Sequence, residues 1–249
     1  MPEIIVMLTN NDVTVPDARE IFRNAQDLPI NVWGFKDVGL SPAQMTELVA
    51  DMKEAGKSVA LEVVTFDEAE LLASAQLAVD CEVDYFTGAR FSEPARDLVK
   101  AAGIAYFPFC GDVAGSPIVL NGTEDQIVDD ARKALHAGAD GVDLVAYRYL
   151  QGDPEQLGDR VVEELGASNV IIAGSINSPD RMRRMNRMGA FAYTMGGALF
   201  EGAFRPDGSF RDNLEAVLDI KAAIEREASG ELGPHGASTP TRHATAVEA

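Results

Sequence analysis

Short apolar runs alternate with amphipathic segments along this chain, and the alternation repeats eight times. The runs cover residues 3–9, 31–37, 58–64, 84–88, 105–110, 141–147, 169–175 and 190–195. Each is too short and too continuously apolar to be a half-exposed strand, which fits a parallel sheet covered by helices. The segments between them carry helix start signals. Ser41-Pro42-Ala43-Gln44 sets a capping hydroxyl before a proline, Ser92-Glu93-Pro94 and Ser178-Pro179-Asp180 are similar, and Thr123-Glu124-Asp125-Gln126 fits a capping box. Gly56, Gly103, Gly138, Gly166 and Gly189 follow the helical patterns, where a left-handed residue ends a helix.

Strict alternation of strand and helix requires parallel pairing through right-handed crossovers. Eight such units within 249 residues predict an α/β fold, a single closed (β/α)8 TIM barrel over residues 1–228. An open doubly wound sheet is the alternative, but no Gly-x-Gly-x-x-Gly turn follows the first run. Residues 229–249 turn Gly/Pro/Ser/Thr-rich and lose apolar periodicity, so a flexible C-terminal tail is expected there.

Composition narrows the partners. Hydrophobic residues at 46% and charged residues at 24% are those of an ordinary globular protein. The formal net charge of −19 argues against nucleic acid, whose binding rests on neutralising lysine and arginine. No apolar run approaches the roughly 20 residues that cross a bilayer, so no membrane partner is expected. The opening MPEIIVML lacks the features of a secretory signal, which predicts a cytoplasmic protein. Two cysteines, Cys81 and Cys110, cannot make a disulfide scaffold, and of three histidines two, His235 and His243, fall in the tail. Histidine catalysis is therefore disfavoured, and Cys110 reads as an inert buried thiol.

Active sites of such barrels lie at the C-terminal ends of the strands, which turns the strand pattern into a set of candidates. Lys36 is the only lysine at such an end, set beside Trp33-Gly34-Phe35. Desolvation would make its amine a base or nucleophile; alternatively it forms an ion pair with Glu62 or Asp37. Glu62, flanked by branched apolar residues, is costly unless paired or functional, and it shares a strand face with Ala60 and Val64. Lys36 and Glu62 are the expected catalytic pair. Arg90, Asp112, Asp143, Tyr147 and Arg148 are candidates for substrate binding; Asp143 and Tyr147 share a strand face, with Asp143 deeper and expected to pack or hydrogen-bond, and Arg148 offers its planar fork or a rim ion pair. Glu62, Asp112 and Asp143 could together attract a cation, but without histidine neither zinc nor iron fits. No cofactor is expected, with magnesium left open. The basic run Arg181-Met182-Arg183-Arg184-Met185-Asn186-Arg187 reads as a solvated helix face or as a contact with a second copy in a homo-oligomer.

The last two strand ends carry the clearest motif. Ile172-Ala173-Gly174-Ser175-Ile176 closes one run and Tyr193-Thr194-Met195-Gly196-Gly197-Ala198-Leu199-Phe200 the next. Glycine in both turns lets an anion approach backbone N–H groups, which points to phosphate at Gly174, Ser175, Gly196 and Gly197; the glycines could also simply relieve crowding.

The stretch Ala173-Gly174-Ser175-Ile176-Asn177-Ser178-Pro179-Asp180, with Gly189-Ala190-Phe191-Ala192-Tyr193-Thr194-Met195-Gly196-Gly197-Ala198, resembles the end of a ribulose-phosphate-binding-type (β/α)8 barrel. It is most similar there to N-acylglucosamine-6-phosphate 2-epimerases. The resemblance covers about the last quarter of the barrel and implies phosphosugar binding at Gly174, Gly196 and Gly197. It does not carry the catalytic residues: the glutamate that precedes the glycine in those epimerases is matched here by Ala173. A small phosphorylated carbohydrate is thus the expected ligand. Three functions stay open: an epimerase or isomerase moving a proton beside a carbonyl, a Schiff-base aldolase or lyase using Lys36, and a non-catalytic phosphometabolite sensor.

Overall fold

Eight parallel strands form the core of the computed structural model, which describes residues 1–229. They are β1 (Glu3–Met7), β2 (Val32–Lys36), β3 (Ser58–Val63), β4 (Tyr85–Gly88), β5 (Ala105–Phe107), β6 (Val142–Leu144), β7 (Val170–Ile172) and β8 (Ala192–Met195). Their order in the sheet is β6-β7-β8-β1-β2-β3-β4-β5. The two ends meet: Phe109 bridges Asp143 in parallel, and the Asp143 N–H donates to the Pro108 carbonyl at 2.9 Å. The sheet thereby wraps into the barrel that the alternation predicts.

The expected runs are longer than the strands. The fifth stops at Phe107 because Pro108 has no N–H to continue the ladder. The sixth stops at Leu144, and Ala146–Arg148 forms a 3-10 turn. Tyr147 is consequently not on a strand and does not share a strand face with Asp143, contrary to the sequence expectation. Two short antiparallel ribbons also escaped the sequence reading, one pairing Thr9–Asn10 with Val13–Thr14 and one pairing Asp112–Ala114 with Val119–Asn121.

The outer ring begins with α1 (Ala18–Ala25), α2 (Pro42–Glu54), α3 (Glu68–Asp80) and α4 (Glu93–Ala101). It continues with α5 (Glu124–His136), α6 (Pro154–Leu165), α7 (Pro179–Met188), the single turn α8 (Gly197–Phe200) and α9 (Phe210–Ser229). Ser41 and Thr123 each complete a capping box, while Ser92 and Ser178 accept from the N–H three residues on. These hydroxyls satisfy backbone donors that the first helical turn leaves without partners. Residues 230–249, most of the expected tail, lie outside the described residues.

Alternate strand residues face opposite ways, and this alternation separates two buried regions. Trp33, Phe35, Val59, Leu61 and Phe86 point outward into the main core under the helices, where Phe22 of α1 meets Trp33 edge-on at 5.1 Å. Ile5, Met7, Val32, Ala60, Phe107, Ile171 and Ala192 fill the barrel interior, with Phe107 stacked on Phe191 at 6.0 Å. On β2 the inward set therefore runs Val32, Gly34, Lys36, and on β3 Ser58, Ala60, Glu62. The apolar filling ends where these strands deliver their charged residues.

Candidate active site

Lys36, Glu62 and Thr87 stand in register on three neighbouring strands, and all three are buried. The Lys36 ammonium lies 3.1 Å from Glu62 Oε1 and 2.9 Å from Asp12 Oδ1. Asp12 in turn accepts from Arg148, whose Nη1 sits 2.7 Å from Oδ2. Four charged side chains thus form one chain, Glu62–Lys36–Asp12–Arg148, across the mouth of the barrel. Asp37, the other partner considered for Lys36, accepts instead from the Val64 N–H and the Ser74 hydroxyl.

Asp12 was not among the sequence candidates. It reaches the site from the tip of the first ribbon, where Asn11 (φ 51°) and Asp12 (φ 60°) both occupy the left-handed region. Such a two-residue hairpin turn favours Asn and Asp, whose short polar side chains tolerate it. Thr14 on the returning strand fastens the ribbon to β2: its hydroxyl accepts from the Lys36 N–H and donates to the Lys36 carbonyl, both at 2.8 Å. The signal available in sequence was the polar run Asn10-Asn11-Asp12 between apolar residues, legible as a turn but silent about where its tip points.

Electrostatics follow from burial against pairing. Burial alone would push the Asp12 carboxyl up, yet Arg148 and Lys36 outweigh it and hold the group down at about 2. Burial would likewise lower Lys36, and its two carboxylates reverse this and raise it above the ordinary lysine value. Asp143, on β6, has no solvent exposure, and neither carboxyl oxygen meets an N–H or hydroxyl donor at hydrogen-bond geometry. Burial and then the charge of Glu62 push it well above the carboxylate range. Burial also raises the Cys110 thiol, as expected of an inert buried cysteine.

A cavity of about 270 Å³ opens over this network. Lys36, Glu62, Asp12 and Arg148 line it together with Gly174, Ser175, Gly196 and Gly197. Gly174 (φ 87°) and Ser175 (φ 57°) both turn left-handed, which swings the chain out of β7 and around the cavity. At Gly196 a Cβ would stand 2.8 Å from the Thr9 carbonyl oxygen, so the β8 turn can pass the first ribbon this closely only as glycine. The Arg148 side chain covers the β7 turn, its Cγ 3.4 Å from where a Gly174 Cβ would lie. Glu201 also lines the cavity, beside Gly197.

The other expected substrate contacts are placed elsewhere. Arg90 and Asp112 face each other at 3.7 Å on the exposed rim and do not line the cavity. The Tyr147 hydroxyl donates to Glu155 at 3.3 Å while Arg181 covers its ring at 4.3 Å, so this side chain is engaged with α6 and α7. Asp143 is fully buried and does not line the cavity.

No family model matches the chain, and no curated protein matches its sequence. Solved structures do match its fold. The native KDPGal structure has a TM-score of 0.62 at 13% identity, covering 90% of this chain and 96% of that one. Orotidine 5'-phosphate decarboxylase from Pyrococcus horikoshii gives 0.61 at 13% identity over 87% and 98% of the two chains. Thiamine phosphate pyrophosphorylase from Pyrococcus furiosus gives 0.61 at 15% identity over 89% and 96%. At such identities the likeness is one of architecture: the chain shares the (β/α)8 barrel with enzymes of differing chemistry.

Proposed function

We propose that this protein is an enzyme moving a proton beside the carbonyl of a small phosphorylated carbohydrate, as an epimerase or isomerase does. One observation carries the reading: the Lys36 ammonium is fixed between Asp12 and Glu62 in the wall of a cavity that the two glycine turns also line. A carbonyl placed between them would meet a preorganised cation where negative charge develops, and a carboxylate within reach of the neighbouring C–H. Glu62 would take the proton, the electron pair would move into the carbonyl oxygen, and Lys36 would stabilise the resulting enolate. Arg148 and the backbone N–H groups of the turns would hold the phosphate.

The raised Lys36 favours this chemistry over a Schiff base, because attack on a carbonyl requires the neutral amine and both carboxylates oppose its formation. The reading needs no cofactor. Among the described residues no group of three or more His, Cys, Asp or Glu side chains could hold a metal ion, and no helix is long and apolar enough to cross a membrane.

The test is a panel of aldose and ketose phosphates incubated with the protein in heavy water and followed by proton NMR. Loss of the signal of the hydrogen beside the carbonyl, with Lys36→Met inactive, supports the proposal. Full exchange by that variant would reduce Lys36 to a structural ion pair. Trapping of Lys36 by borohydride with a carbonyl compound would favour the aldolase reading instead.

A further inference from the structure

The basic run at the start of α7 is the sequence motif that the charged network leaves unused. Two of its arginines, Arg181 and Arg184, hold Tyr147 from both ends. Arg181 lies over the ring at 4.3 Å, and Arg184 donates at 2.8 Å to Glu155, which accepts from the Tyr147 hydroxyl at 3.3 Å. A guanidinium stacked on a ring is fixed in its plane as well as in its place. Arg181 then reaches back over the start of its own helix: its Nη1 donates to the Ser175 carbonyl and, at 3.3 Å, to Asn177 Oδ1. The Ser178 hydroxyl accepts from the Arg181 N–H at 3.3 Å and anchors the residue at its backbone.

Ser175 is where this reach matters. It lines the cavity, follows Gly174 out of β7, and has left-handed backbone (φ 57°) although it carries a Cβ. Such a residue disfavours that region by about five- to thirtyfold, so contacts beyond the turn must hold it there. The Ser175–Ile176 peptide is trans, and its carbonyl and N–H therefore point opposite ways. With the carbonyl tied to Arg181, which does not line the cavity, the Ile176 N–H is turned the other way, and Ile176 does line it. Among the described residues, neither the Ser175 nor the Ile176 N–H donates to a protein acceptor. Successive N–H groups in such a turn make a concavity suited to an anion.

We infer that Arg181 is a positioning residue for anion binding: from outside the cavity it fixes the Ser175–Ile176 peptide so that its N–H faces the phosphate of the substrate, with Tyr147 as its platform. The identity of the anion rests on the proposed function. Arg181 itself touches no ligand. Tyr147 and Arg148 are neighbours in one 3-10 turn, so a single element grips the β7 turn twice, through Arg181 and through Arg148, whose Cδ and Nε each lie 3.6 Å from where a Gly174 Cβ would stand. Arg148 also holds Asp12, which ties the anion seat and the charged network to the same element.

Titration with inorganic phosphate, read by calorimetry and by the amide protons of Ser175 and Ile176, tests the inference. In the unaltered protein both amide signals should move downfield as phosphate binds. Arg181→Gln frees the peptide, and affinity should fall about tenfold as the binding-competent turn becomes a minor conformer. Arg181→Lys keeps the charge but has no flat face to stack on Tyr147, so it should lose nearly as much. Arg187→Gln removes an exposed charge from the same helix and should leave affinity unaltered. Full affinity in the lysine variant, or an equal loss in the Arg187 variant, would show that the helix acts only through its charge and would overturn the inference.

A ligand-free measurement separates this role from the proposed function. Backbone carbon and nitrogen shifts of Ser175 and Ile176 should report a left-handed Ser175 in the unaltered protein and averaging over other conformations in Arg181→Gln and in Tyr147→Leu. Shifts unmoved by Arg181→Gln refute the positioning role. Absence of phosphate binding by the unaltered protein refutes the phosphate reading instead, while the shifts still decide what Arg181 does. With an active phosphosugar the Arg181→Gln loss should fall chiefly on KM, because the turn holds the phosphate and not the reacting carbon; a loss confined to kcat overturns the inference.

Discussion

Replacing Asp12 with asparagine tests how the site is held together. The substitution keeps the shape, the left-handed turn and one acceptor oxygen, and removes the negative charge between Lys36 and Arg148 together with the second acceptor oxygen. The carboxyl falls from an ordinary 3.8 to about 2 in the folded protein, a difference worth about 2 kcal/mol by linkage. Its side chain is 11% exposed, so solvent screening trims this to about 1–2 kcal/mol. Because the folded value lies below the unfolded one, the contribution is complete above pH 3.8 and is lost as pH falls towards 2. Urea denaturation of both proteins at a series of pH values measures it, urea being preferred because guanidinium is a salt and screens charges. At pH 7 and pH 5 the variant should be less stable by about 1–2 kcal/mol, and between pH 4 and pH 2 the gap should close, most of it below pH 3. A gap that stays constant across this range would show that the loss comes from the hydrogen bonding of the amide and not from the missing charge.

Three further outcomes follow from the same contacts. Lys36→Met leaves Glu62 without its cation and Asp12 with only Arg148; the loss should be about 3–5 kcal/mol, read as a melting temperature lower by roughly 6–15 °C, together with loss of exchange. Gly196→Val forces a Cβ to within 2.8 Å of the Thr9 carbonyl; calorimetry with inorganic phosphate should show binding abolished, while unfolding shows a loss of about 1–3 kcal/mol. Trp33→Ala empties the outer-core position against Phe22 and should cost about 3–5 kcal/mol without altering the charged network, so residual exchange in the folded fraction should match the unaltered protein.

Local chemistry along the chain determined the architecture of this protein. Continuous apolar runs can be buried only on both faces, hydroxyls at Ser41, Ser92, Thr123 and Ser178 start helices wherever they precede the right pattern, and strict alternation leaves few topologies. The pairing of Lys36 with Glu62 was legible for the same reason: neighbouring strands in a parallel barrel bring residues of like depth together, and two charges among apolar residues need each other. So was the meeting of the two glycine turns around one cavity. Tertiary structure alone decided the rest. Asp12 enters the site because a two-residue hairpin turns its tip over the barrel, and Arg148 meets it across 136 positions of chain, a contact that no local pattern encodes. The outward placement of Tyr147 was set by a 3-10 turn that ends β6 early, and that of Arg90 and Asp112 by the rim loops they occupy. The deeper position of Asp143 on its strand was legible, but the register that closes the barrel beside it, Phe109 against Asp143, was not.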